Sequence, residues 1–154
     1  MSKENNFKLI KKSLDKGKWK YTSTNEHIHG RFASKCCIKD LDFFFSFYDS
    51  MVSLYFVLPL CAKEKDMQQP IAEFITRINY GLNVGCFEMD FDDGEIRYKI
   101  NCYSSALEAD PKNEFTRLML IPITTIEHYA RGFLGVMSGF ASPEEAVKKC
   151  EIDD

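Results

Sequence analysis

Nowhere in these 154 residues is there an apolar run of about eighteen, the length a membrane-crossing helix needs. The longest apolar stretch, Leu54–Ala62, is interrupted by Pro59 and suits a buried strand. The opening residues, MSKENNFKLIKK, lack the apolar segment of a signal peptide. No membrane insertion and a cytoplasmic location are therefore expected. Net positive charge is lacking as well. At −3 the chain has no general drive toward nucleic acid, and none is expected as a partner.

The usual chemical motifs are missing too. There is no Walker loop, no GxGxxG, no CxxC, and no Gly-x-Ser-x-Gly around Ser104-Ser105. Internal repeats and low-complexity tracts are absent. The run Asp90, Asp92, Asp93, Gly94, Glu95 fails the EF-hand template, because Met89 and Phe91 stand where carboxylates are required. His27 and His29, two apart, would share one face of a strand and so could both reach one metal. No third ligand is spaced nearby, so surface histidines on an edge strand are expected. No catalytic residue, cofactor or metal is assigned, and the chain reads as a non-enzymatic one.

Without an export signal the six cysteines (Cys36, Cys37, Cys61, Cys86, Cys102 and Cys150) should be thiols. Cys86 and Cys102 fall on strands, where a thiol behaves as a small apolar group. Cys36 and Cys37, if on a strand, point to opposite faces, which suits neither a disulfide nor a shared metal.

What is present is pattern. The chain is long enough for one domain, 1–154, with a core at about 19–150 and an N-terminal helix over 1–18; roughly 70% of its unfolded surface can be buried. Phe7, Ile10 and Leu14 predict a first helix over Lys3–Lys16, ended at Gly17. Its other face is lysine-rich (Lys8, Lys11, Lys12, Lys16), either a solvated face or a contact for an acidic partner or membrane surface. Trp19 and Tyr21 read as anchors, Thr22–Glu26 as a polar loop, and Ile28–Ser34 as a strand.

Two hairpins follow. Strands at about Cys37–Tyr48 and Met51–Leu60, turned at Asp49-Ser50, place Phe43 opposite Phe56 and Phe45 opposite Leu54 on a uniformly apolar face. The reverse face carries Phe44, Tyr48, Tyr55 and Val57. It is either an exposed partner-binding patch or a surface covered by a terminal segment. The second hairpin turns at Asp93-Gly94. A two-residue type I′ turn there pairs Phe91 with Ile96, Met89 with Tyr98 and Phe87 with Ile100, and sets Asp90 opposite Arg97 and Glu88 opposite Lys99.

Between the hairpins, Met67, Ile71, Phe74, Ile75, Ile78 and Leu82 form the stripe of an amphipathic helix. Asp66 or Gln69 can cap its start, with Pro70 in or near the first turn. Asn79-Tyr80, where the stripe stops, either satisfies backbone groups or contacts a ligand. Ser104–Ala109 reads as a loop. A short helix follows from Pro111 to about Leu120, Pro122 breaks or kinks the chain, and a longer helix runs to about Ser138. Ser142-Pro143-Glu144-Glu145 starts a last helix to about Cys150, before a short acidic tail, EIDD.

The segment EFITRINYGLNVGCFEMDFDDGEIRYK, Glu73–Lys99, resembles the central signature of the YbjN-like family of bacterial proteins. That signature is a helix ending in Asn-Tyr, a glycine before an aromatic, then an acidic strand and Asp-Gly-Glu-Ile-Arg-Tyr. GFASPEEA at Gly139–Ala146 resembles its C-terminal element. The match is dense over Ile71–Tyr103 and thin from Met1 to Leu60. Family members are described as sensory transduction regulators, and their fold resembles type III secretion chaperones. The resemblance implies an α+β fold, antiparallel sheet with helices packed on it, in the order α-β-β-β-α-β-β-α with an extra short helix. It also implies homodimers that bind an extended client segment, and it carries no catalytic residue. Cys36-Cys37 lies outside the family pattern, which leaves room for a lineage-specific role.

The reading is thus a chaperone-like adaptor or signal-transduction regulator that binds another protein, or itself, through Phe44, Tyr48, Tyr55 and Val57. The alternative is a small-molecule sensor with a pocket between the central helix and the sheet, at Asn79 and Tyr80.

Overall fold

A computed structural model describes residues Ser2–Ile152. Of the acidic tail, Asp153 and Asp154 lie outside the described residues. The first helix, α1 (Lys3–Lys16), buries Ile10 and Leu14 and starts where the Ser2 hydroxyl accepts the Asn5 N–H. Four strands follow: β1 (Tyr21–Ser23), β2 (Ile28–Ala33), β3 (Asp40–Phe47) and β4 (Met51–Cys61). After helix α2 (Lys65–Gly81) come β5 (Cys86–Met89) and β6 (Glu95–Tyr103), then α3 (Ser104–Ala109), α4 (Pro111–Met137) and α5 (Pro143–Ile152). The fold is α+β, in the expected order, with β1 and α3 as short additions where loops were expected.

All six strands form one antiparallel sheet in the order β1-β2-β3-β4-β6-β5. One face carries Phe43, Phe45, Phe56, Leu54, Phe87, Ile96, Tyr98 and Ile100, all buried. The helices lie on that face: the Phe7 ring of α1 meets Phe47, and Phe133 of α4 meets Phe87. Burying this apolar face against helix stripes is the main source of stability, at about 25 cal/mol per Å² of apolar surface removed from water.

The β3–β4 hairpin has the register its alternation predicts, with Phe43 opposite Phe56, Phe44 opposite Tyr55 and Phe47 opposite Val52. Asp-Ser is a weak turn former, and here it is held from outside. The Lys3 N–H donates to Asp49 Oδ1 at 2.9 Å, and the Ser104 N–H donates to the Ser50 carbonyl at 2.9 Å. The buried Asn6 amide donates to the Tyr48 carbonyl at 2.7 Å and to Ser104 Oγ at 2.7 Å.

The β5–β6 hairpin corrects the sequence reading. Phe87 pairs with Tyr98, Glu88 with Arg97 and Met89 with Ile96, two residues away from the expected register. The loop has four residues, closed by an Asp90 N–H to Glu95 carbonyl bond of 3.0 Å. Of the two turn residues only Gly94 has positive φ, at +78°, so no type I′ turn forms. The carboxylates of Asp90 and Asp93 cap the N–H groups of Asp92 and Glu95 instead. Phe91, expected inside, lies in the loop and is 54% exposed.

Three further corrections concern local structure. Cys36 and Cys37 sit on the bend between β2 and β3, not on a strand. Helix α2 begins one residue before Asp66, with Glu64 at the cap position and no side-chain cap bond, so Pro70 falls in the second turn. Helix α4 runs unbroken through Pro122, because Phe115, Leu118 and Met119 before it and Ile123, Ile126 and Phe133 after it bury one continuous stripe. That packing offsets the ~3 kcal/mol a mid-helix proline costs.

Candidate interaction surface

Side chains alternate across the sheet, so the residues between the core positions form a second face. Among the described residues, the helices make their ring contacts with the sheet on the core face and none with this one. The cross-strand register sorts this face into rows. One row reads His29 (β2), Phe44 (β3), Tyr55 (β4), Lys99 (β6) and Cys86 (β5). The next, toward the β2–β3 bend, reads Arg31, Asp42, Val57, Arg97 and Glu88. On the other side Ser46, Ser53 and Asn101 form a polar row, and beyond it Met51 stands opposite Tyr103.

Within the first row the rings stack on one another. Phe44 and Tyr55 lie 4.6 Å apart at 13°, and His29 stacks on the far side of Phe44 at 5.8 Å and 24°. The Arg97 guanidinium covers the Tyr55 ring at 4.7 Å, a cation–π contact worth about 0.5–1 kcal/mol at a surface. Phe44 thus has rings on both faces, and Tyr55 has a ring on one and a guanidinium on the other. With their ring faces already occupied by one another, Phe44 and Tyr55 leave little face for a nucleobase to stack on. Phe44, Tyr55 and Val57 are half-buried by this mutual contact, whereas Tyr48 is 49% and Tyr103 72% exposed.

Ion pairs frame the row. Arg97 Nε donates to Glu88 Oε2 at 2.9 Å, Lys99 Nζ donates to Glu88 Oε1, and Arg31 pairs with Asp42 at 2.6 Å. Burial would raise the Glu88 carboxyl, but hydrogen bonds from Lys99 and Arg97 hold it below the ordinary carboxylate value. A depressed folded-state value means stability that is complete above the unfolded value and lost as pH falls through the folded one. Glu88→Gln is therefore expected to cost about 1 kcal/mol near neutrality. In urea titrations the gap between variant and parent should close on acidification to about pH 3. A gap unchanged with pH would remove this account.

Phe44, Tyr55 and Val57 alternate with the core positions on this face, and Tyr48 follows the end of β3 and is exposed. Sequence reasoning missed His29, which stacks in the row of Phe44 and Tyr55, and Arg97, which reaches from the next row over the Tyr55 ring. Only the β2–β3 and β4–β6 registers reveal them.

No family model matches this chain, and no curated protein matches it. Among solved structures, the chain is similar to YbjN from E. coli, described as a candidate transcription regulator. The two are 10% identical with a TM-score of 0.49, over 78% of this chain and 90% of that one. A likeness so remote carries no argument about function.

The alternative site, Asn79-Tyr80, is placed differently. The Asn79 amide donates to the Phe87 carbonyl and accepts its N–H, both at 2.9 Å, and so pins the end of α2 to β5. Tyr80 is 97% exposed. The space between α2 and the sheet is filled by Phe74, Ile78, Phe87 and Tyr98, all buried.

Folding also brings together residues distant in sequence. A depression of about 790 Å³ between the β2–β3 bend, α4 and α5 is lined by Cys36, Cys37, Glu127, His128, Arg131 and Cys150, among others. Cys37 is exposed, and partial desolvation with Cys36 beside it still holds its thiol above the ordinary value in spite of nearby Arg131. A thiol kept protonated is a poor nucleophile. Burial and the Glu114 carboxylate push the Cys102 thiol up to about 12. All six cysteines are free thiols. His27 and His29 are neighbours at 6.2 Å between ring centroids, and among the described residues no three His, Cys, Asp or Glu side chains converge as a metal site. Also among the described residues, no helix is long and apolar enough to cross a membrane.

Proposed function

We propose that this chain is a non-enzymatic protein-binding module, a chaperone-like adaptor or signal-transduction regulator of the cytoplasm, which engages a partner protein or a second copy of itself through the open sheet face. The observation that carries the reading is that face itself. Phe44, Tyr55 and Val57 lie on the side of the sheet away from the core contacts of the described helices, Tyr48 follows at the exposed end of β3, and Arg97 and Glu88 frame the row. Tyrosine and arginine are, with tryptophan, the residue types enriched among those that dominate binding energy at protein interfaces. A pre-stacked row also loses little side-chain freedom on docking, which lowers the entropic cost of association.

Tyr55→Asp tests the proposal. The mass in solution is read by light scattering, and partners are read by affinity purification from the cell's own cytosol under reducing conditions. The variant is expected to lose a dimer or a stoichiometric partner that the parent retains, with an unchanged circular dichroism spectrum. Tyr80→Asp, on the exposed end of α2, serves as the control and should behave as the parent. A Tyr55→Asp variant with the parent's mass and the parent's partners would overturn the proposal.

A further inference from the structure

A second surface, on the helical side of the molecule, carries an inference independent of the sheet face. An open groove of about 400 Å³ runs between the second half of α1 and the first half of α4. Its apolar lining is Leu9, Trp19, Phe115, Met119 and Leu120, of which Leu120 is 52% exposed. Two hydroxyls in the lining are turned away from it: Ser13 donates to the Leu9 carbonyl at 3.0 Å and Thr116 to the Lys112 carbonyl at 2.8 Å. The groove therefore offers aliphatic and aromatic surface.

Its rim is cationic on both banks. Lys12 and Lys16 stand one helical turn apart on α1, and Lys112 stands on α4. No carboxylate is among the lining residues. Among the described residues these three lysines make no ion pair or side-chain hydrogen bond, whereas Lys3, Lys8, Lys99 and Lys148 are all paired. The segment Lys3–Lys20 holds seven lysines against Glu4 and Asp15, in a chain whose net charge is −3. A basic, unpaired rim around an apolar floor is a local departure from the charge of the whole molecule.

We infer that this groove is a docking site for an acidic amphipathic helix of a partner protein. The helix lays its apolar stripe on Trp19, Phe115 and Leu120, and carboxylates on both flanks of the stripe meet Lys12 and Lys16 on one bank and Lys112 on the other. Charge on both banks decides the occupant. A fatty acid brings one carboxylate to one end of its chain, and a lipid surface is flat where this site is concave. A helix with acidic flanks supplies both signs of complementarity along its length.

Trp19 is the single tryptophan of the chain and forms part of the floor, so its emission reports on the groove directly. The probe is a synthetic peptide of about 18 residues, with leucine at every third and fourth position, glutamate on the two flanks of that stripe and alanine elsewhere to favour the helix. Adding it to the full chain is expected to give a saturable blue shift of Trp19 emission. Lys12→Glu with Lys16→Glu, both exposed and unpaired in the parent, should weaken that binding about tenfold or more. Salt at about 0.5 M should weaken it too, since rim contacts are screened. A lysine-for-glutamate version of the peptide should not bind. Tyr55→Asp, on the other side of the sheet, should leave the titration unchanged, so the two surfaces stand or fall separately. The inference is overturned by no shift, by equal binding of the basic peptide, or by a shift with dodecanoate or anionic lipid vesicles and none with the acidic helix.

Discussion

Replacing Phe133 with alanine is expected to lower stability by about 3–5 kcal/mol. Phe133 is fully buried where three layers meet. Its ring sits edge-on to Phe74 of α2 at 4.9 Å and against Phe87 of β5 at 5.1 Å, and Phe87 in turn meets Tyr98 of β6 at 4.9 Å. Removing the ring loses both transfer free energy and two aromatic pairs. The neighbours cannot close the gap, because Gly132 is already in tight contact: a Cβ there would come within 2.4 Å of Phe74 Cζ. A domain of this size shifts its midpoint by roughly 2–4 °C per kcal/mol, so the melting temperature should drop by about 10 °C. Urea titration of parent and variant measures it. A loss below about 1 kcal/mol would mean that this cluster is loosely packed.

Gly94→Ala should be nearly as damaging, at about 2–5 kcal/mol, for a different reason. Gly94 closes the four-residue loop with φ of +78°, a region that costs a side-chain-bearing residue about 1–2 kcal/mol. Space is lacking as well. A Cβ would lie 2.4 Å from both the carbonyl carbon and oxygen of Ala62, and the Ala62 N–H donates to the Gly94 carbonyl at 2.9 Å. Those are backbone atoms of the chain leaving β4, so neither side can yield cheaply. The contrast is Gly81, at the end of α2, whose Cβ position is open. Gly81→Ala is expected to change stability by less than about 1 kcal/mol, in the stabilising direction. Thermal melts of the two variants side by side check the pair. Equal behaviour would show that glycine content alone, and not the β4 contact, sets the cost.

The two hairpins show what alternation can and cannot specify. A strand pattern of period two assigns faces, and both hairpins put the expected side chains inside except Phe91, which the longer β5–β6 loop carries out to solvent. A slip of two residues keeps every face intact. It also leaves Glu88 beside a cation, since Arg97 and Lys99 lie on the same side of β6. Cross-strand pairing therefore could not separate the two registers of β5–β6. The choice fell to the loop, where the carboxylates of Asp90 and Asp93 cap N–H groups and Gly94 meets the end of β4. The β3–β4 hairpin came out in register although Asp-Ser is a weak turn, because its alternating strands are longer and α1 and α3 hold the turn.

The site was legible to the same degree. That Phe44, Tyr48, Tyr55 and Val57 share a face follows from alternation. That the face stays open depends on where α1 lies, and Phe7 sets it against Phe47 on the core side. The cluster of His29, Phe44 and Tyr55 with Arg97 from the adjacent row draws on β2, β3, β4 and β6, and β6 meets β4 only because β5 is passed over. The groove between α1 and α4 joins residues about a hundred positions apart. Neither has a local signature.

By itself the sequence determined the longer helices and strands and which side of each is apolar, while it read β1 and α3 as loops and left the reverse face of the sheet either open or covered. Those properties depend on neighbours within a few residues. Only the tertiary structure decided the β5–β6 register, the continuity of α4 through Pro122, the open sheet face, and the pairing of an apolar groove with unpaired lysines. Each of these is settled by contacts between distant segments, where packing free energy exceeds what any local preference contributes.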